Sequence, residues 1–187
     1  MKLRSKKGLT LVELIVTVAF TAVVMAAACT ALYAAADSSR KASANATGQQ
    51  SVSLAESYLR RYAAVTTSVS PNSGDVKGKP AIRLSLTANG EEPALLIEQK
   101  VSSTETWQRT ALVDNIAQLQ LTVQEDGSLG YAISSQDTAY TYTASRNSAF
   151  TQSGGIVLNN CSGLGAYRYR LTEGAVYMVL PADSAAG

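Results

Sequence analysis

One carboxylate stands out by its surroundings. Glu13 is the sole charge in residues 9–36, a run of 28 that is otherwise apolar or carries only threonine hydroxyls. A carboxylate in such a segment is expensive unless it is paired or kept hydrated, so its presence asks for a function. In the first turn of a helix it is favoured by the helix dipole. Just before it, Lys2, Arg4, Lys6 and Lys7 lead into Gly8 and Leu9. Gly8 has no side chain, so an enzyme can approach its carbonyl closely. Other chemistry is scarce. The chain has no histidine, which excludes histidine acid–base catalysis, Ser-His-Asp triads and histidine metal sites. Two cysteines, Cys29 and Cys161, are too few for a structural zinc site. No phosphate-binding loop or dinucleotide fingerprint is present. Glu91-Glu92 and Glu125-Asp126 each border a turn signal and read as solvated turn residues. No enzymatic activity, metal or cofactor is expected.

The element that carries Glu13 is long. About 20 apolar residues cross a bilayer as a helix, and this run exceeds that. The basic flank predicts a cytoplasmic N-terminus and an outside C-terminus. Beyond residue 36 the composition turns polar, with Asp37, Ser38, Ser39, Arg40 and Lys41 just outside the span. No proline interrupts the stretch to Val65, and Gly48 is the weak point, at about 1 kcal/mol relative to alanine. Val52, Ala55, Leu59 and Tyr62 follow the spacing of one helical face. Glu56 and Arg60 pair at i, i+4 on another. The pattern predicts one helix over residues 9–65, with its second half docked on a sheet. A break at Gly48 would give two helices instead.

With those residues set out, a resemblance is visible. Lys-Gly, an apolar residue, then Thr-Leu-Val-Glu-Leu (residues 7–14) resembles the N-terminus of type IV prepilins and pseudopilins. The resemblance implies cleavage by a prepilin peptidase between Gly8 and Leu9 and methylation of the Leu9 amine. It implies that Glu13 guides subunit assembly, and that the chain passes from the cytoplasmic membrane into an extracellular filament. Implied partners are the peptidase, other pilin subunits, the inner-membrane assembly platform and, before assembly, membrane lipid. Leu9 departs from the phenylalanine usual in major pilins, and the helix lacks the proline many of them carry. Three other readings compete on the residues alone. One is a plain single-pass anchor. Another is a secretory signal cut at Ala26-Ala27-Ala28 or Ala34-Ala35-Ala36. The last is a lipoprotein signal ending at Cys29. Signal cores usually run 7 to 15 residues without a carboxylate.

The division expected is a leader (1–8), a transmembrane or filament-core helix (9–36), its amphipathic continuation (37–65) and a globular β-rich domain (66–187). Four of the 16 basic residues lie in the leader, so the remainder carries 12 basic against 14 acidic residues. The basic balance belongs to the leader and gives no argument for nucleic-acid binding. Cys29 in the apolar run and Cys161 near the end are expected to stay unbridged.

After a loop over residues 66–79 the period becomes two. Residues 81–88 and 94–101 flank Asn89-Gly90, a strong hairpin signal. Residues 107–111 read as a short strand and 112–116 as a turn. Leu119, Leu121 and Val123 alternate, and Asp126-Gly127 leads into a second hairpin over 129–134. The run 112–116 leading into this strand loosely resembles minor pilins and secretion pseudopilins. Residues 139–144 read as a strand, 145–155 as a polar loop and 156–158 as a short apolar piece. Residues 166–171 and 175–180 read as a third hairpin around Glu173-Gly174. The sum is α+β: one long helix, then an antiparallel sheet.

Tyr167-Arg168-Tyr169-Arg170 interleaves aromatic and basic residues, the composition of a single-strand nucleic-acid contact. Two arginines, Arg168 and Arg170, on a mildly acidic chain form a small patch, and DNA is not an expected partner. The resulting reading is a non-catalytic minor pilin or pseudopilin. The rival is a membrane-anchored extracellular binding protein, an adhesin or DNA-uptake module, with a β ectodomain.

Overall fold

The computed structural model describes residues 10–89, 92–101, 106–123, 127–136, 151–158, 161, 167–171 and 174–181. Its first element, α1 (Leu11–Ala63), runs 53 residues without a break. Gly48 does not interrupt it. The helix ends two residues before the expected Val65. There the amides of Val65 and Thr66 bond back three residues, to the carbonyls of Tyr62 and Ala63, at 3.2 and 3.3 Å. This is the usual tightening of a last turn. The chain forms two compact units, Met1–Ala42 and Ser43–Gly187.

Among the described residues of the second unit, nine strands form two antiparallel sheets. They are β1 (Ser68–Ser70), β2 (Ala81–Asn89), β3 (Glu92–Lys100), β4 (Gln108–Asp114), β5 (Ile116–Val123), β6 (Ser128–Ser135), β7 (Thr151–Val157), β8 (Tyr167–Leu171) and β9 (Ala175–Val179). One sheet has the order β1-β9-β2-β3-β4 and the other β7-β6-β5-β8. The architecture is α+β, as expected, with two sheets in place of one.

A single core joins helix and both sheets. The predicted stripe of Val52, Ala55, Leu59 and Tyr62 is buried, together with Gly48 and Ala63. It packs in one cluster with Ile82, Leu84, Leu95, Ile97, Val176 and Met178 of the five-stranded sheet and Leu119, Leu121, Leu129 and Ile133 of the four-stranded sheet. These positions alternate along each strand, as a sheet with one packed face requires. A smaller cluster of Val76, Ala81 and Val179 lies on the other face of the five-stranded sheet, against Trp107 and Tyr177.

Several boundaries differ from expectation. The predicted loop 66–79 contains β1 and a 3₁₀ turn, Ser73–Val76. The β2–β3 hairpin closes with Asn89 opposite Glu92, one residue later than Asn89-Gly90 suggests. The predicted turn 112–116 is mostly strand, because Asn115 alone takes the chain from β4 to β5 and so from one sheet to the other. Its φ of 64° is left-handed, a region asparagine tolerates. Part of the predicted loop 145–155 is β7, which pairs with β6 over seven consecutive residues. The third hairpin is absent: β8 pairs with β5, and β9 with β1 and β2. Partner choice across two different sheets outweighs the turn signal between them. The strand expected over 139–144 lies outside the described residues.

Candidate functional site

The start of α1 is built by Thr10. Leu14 N–H donates to the Thr10 carbonyl at 3.1 Å, the first helical bond. Glu13 N–H donates to the Thr10 hydroxyl at 3.3 Å. Thr10 is therefore the N-cap and Glu13 the third helical residue, the spacing of a capping box. The carboxylate sits beside helix amides that lack helical partners, where negative charge is favoured. The sequence signal was Thr-x-x-Glu ahead of an apolar run, and the reading above passed over Thr10.

Over residues 11–36 the helix is apolar on every side apart from Glu13, and its side chains are exposed. Leu11 is 78% exposed, Phe20 71% and Tyr33 76%. Its threonine hydroxyls are satisfied within the helix. Thr17 donates to the Glu13 carbonyl (2.6 Å), Thr21 to that of Thr17 (2.7 Å) and Thr30 to that of Ala27 (2.8 Å). With those hydroxyls closed internally, the segment can leave water without stranding a threonine donor. Residues 11–36 span about 39 Å at 1.5 Å per residue, more than the roughly 30 Å of a hydrocarbon core. This one helix, near the N-terminus, is long and apolar enough to cross a membrane.

Gly8 and Leu9 lie outside the described residues. Glu13 is exposed in the first turn. Arg168 and Arg170 stand opposite Thr122 and Gln120 in the β5–β8 register. Those positions fall on the face of the sheet away from Leu119, Leu121 and Val123, which are buried. Glu13 belongs to the first unit and both arginines to the second.

A polar cluster in the second unit involves residues on three elements. On α1, Arg60 Nε donates to Glu56 at 2.8 Å, the predicted i, i+4 pair. Arg60 Nη2 also donates to the Tyr131 hydroxyl on β6 at 2.8 Å. That hydroxyl donates to Glu56 Oε1, and Gln152 Nε2 on β7 donates to Glu56 Oε2. The Tyr131 hydrogen bond is the chief cause holding the Glu56 carboxyl below its ordinary range, with Arg60 and Gln152 adding to it against the opposing effect of burial. Burial pushes the Tyr131 phenol up, so it remains a donor. This is a latch between helix and sheet. Tyr131 and Gln152 carry no sequence signal for it, because their pairing with Glu56 is set by tertiary contacts.

Little else invites chemistry. Cys29 and Cys161 are both free. The Cys161 thiol donates to the Thr66 carbonyl at 3.3 Å, and burial raises its pKa, the reverse of an activated nucleophile. Among the described residues no group of three histidine, cysteine or acidic side chains could hold a metal ion. Arg83 lies 4.9 Å above the Trp107 ring, and its Nε donates to Glu98 at 2.6 Å. That patch is internally matched and offers no loose cation to a polyanion. Compared with known protein families, characterised proteins and solved structures, the chain matches none.

Proposed function

We propose that this chain is a filament subunit of the type IV pilin class, a minor pilin or pseudopilin. The observation that carries the reading is a helical segment, residues 11–36, apolar on every side, whose single charge, Glu13, sits in its capped first turn. Such a surface needs apolar surroundings all round: lipid before assembly, neighbouring helices after it. The Lys7-Gly8-Leu9 sequence ahead of it supplies the expected cut, leaving a cationic amine on Leu9. In a filament, Glu13 would pair with the Leu9 amine of an adjacent subunit. The pair offsets a desolvation cost of several kcal/mol only at the correct axial offset, so it acts on register more than on net stability. The β-rich unit is then displayed outside the cell, and the chain catalyses nothing itself.

Two measurements test this. Intact mass of protein recovered from membranes should show a start at Leu9 with one added methyl. A start at Cys29 bearing lipid, or after an Ala-x-Ala site, would end the proposal. Glu13→Leu should be processed normally and accumulate in the membrane, yet enter sheared filaments poorly. An unchanged filament-to-membrane ratio would leave only the rival, a permanently anchored extracellular binding protein.

A further inference from the structure

Polar groups along the membrane-crossing segment are not scattered. Glu13, Thr17 and Thr21 follow one another at steps of four, all exposed on α1. Residues four apart share one side of a helix, so the three form a single polar ridge. Leu11 and Ile15 fall on the opposite side, and Thr30 lies off the ridge. Each ridge hydroxyl is folded back by one step. Thr17 donates to the Glu13 carbonyl at 2.6 Å and Thr21 to the Thr17 carbonyl at 2.7 Å. In a helix those carbonyls also accept the amide four residues on, so a hydroxyl can leave without orphaning them.

We propose that this ridge pairs with the same ridge of a second copy of the chain, parallel to it and displaced by one helical turn, four residues or about 6 Å. The inference rests on the filament reading above and specifies its register. Spacing and charge argue for this occupant. A cut after Gly8 leaves an amine at residue 9, one further step of four before Glu13. Sliding the ridge by one step therefore sets residue 9 against 13, 13 against 17 and 17 against 21. The amine of the displaced copy meets the carboxylate of the first. Its own carboxylate meets the Thr17 hydroxyl, and its Thr17 meets Thr21. At zero offset the two carboxylates would instead face each other in apolar surroundings, like charge against like. The basic flank gives every copy the same orientation in the membrane, so the pairing is parallel. In lipid the hydroxyls stay folded back. When a second copy arrives, the Thr17 hydroxyl turns from the Glu13 carbonyl to the incoming carboxylate, a charged and stronger acceptor.

The test is cysteine cross-linking on the full chain in a Cys29→Ala/Cys161→Ala background, in membranes and in sheared filaments. Thr17→Cys and Thr21→Cys chains carrying different tags are co-expressed and oxidised. A one-turn displacement brings residue 17 of one copy opposite residue 21 of the other, within disulfide reach. The mixed dimer should therefore outnumber pairs of like residues. Separately, Thr17→Val/Thr21→Val keeps the shape of both side chains and should lower the filament-to-membrane ratio about threefold to tenfold, the worth of one or two interhelical hydrogen bonds. Intact mass is read alongside. A start other than Leu9 ends the filament reading, and this inference with it. A Leu9 start with an excess of like pairs, with cross-links only to other proteins, or with none overturns the inference alone. So does an unchanged ratio for the double valine variant.

Discussion

At the scale of single residues, Tyr131 and Gly154 constrain each other. A methyl group at Gly154 would lie 2.6 Å from the Tyr131 hydroxyl oxygen and 2.9 Å from its ring. The ring cannot swing aside without giving up its hydrogen bonds to Glu56 and Arg60. Gly154→Ala should therefore cost about 1–3 kcal/mol, as overpacking does. Tyr131→Phe removes a donor from a carboxylate that keeps two others and should cost about 1–3 kcal/mol. The two substitutions touch one contact, so their effects should not add. In a double-mutant cycle by urea unfolding, the alanine penalty should shrink in the phenylalanine background, because the nearest clash is with the oxygen. Full additivity would mean that hydroxyl and glycine are not in contact. The same pair shows why Gly154 is a glycine although no turn demands one.

At the scale of elements, the latch ties α1 to the four-stranded sheet with a titratable group. Glu56 is held below its ordinary value of about 4.5 in the folded state, chiefly by Tyr131. A carboxyl depressed by folding contributes stability that is complete above its unfolded pKa and lost as pH falls through the folded one. The unfolding free energy should thus decline from about pH 4.5 downward, and Glu56→Gln should flatten that decline while lowering stability at neutral pH. Arg60 is half exposed, so its ion pair is screened and is not the main source of the effect. An acid limb of the same slope in both proteins would rule the latch out. How far these elements were legible follows from the same physics. The helical stripe was readable because period 3.6 and burial agree at Val52, Ala55, Leu59 and Tyr62. So were β2, β3, β5 and β6, where alternation and turn residues coincide. β7 was not, because it packs against tyrosine through a glycine and faces solvent on its other side, so it has no apolar rhythm. The sheet exchange between β8 and β9 was invisible for another reason: partner choice is a long-range property, while a Glu-Gly turn signal is local. Of the candidate site, the apolar run and Glu13 were plain, and Thr10 was overlooked because its role is to a neighbour's amide.

At the scale of the whole molecule, the division at Ala42/Ser43 separates a unit with no core from one with a complete core. A fragment of residues 43–187 should therefore fold in plain buffer, monomeric at low concentration, with a β-dominated circular dichroism spectrum. Its one thiol, Cys161, should react slowly with Ellman's reagent when folded and quickly in denaturant, because burial disfavours the thiolate. A mostly helical spectrum, or a fragment that needs detergent, would contradict this. One feature of the second unit bears on the life of the chain before it folds. β9, the last of the described strands, is not added at an edge but inserted between β1 and β2. Until it arrives, β1 has no strand partner and β2 has one bare side. The five-stranded sheet thus closes by pairing residues more than a hundred positions apart, such as Ser68 with Val179, a slow kind of closure. A ribosome must reach Val179 before that sheet can exist. A product truncated after Leu171 carries every other described strand yet lacks the keystone, and its open gap would mark it for proteases.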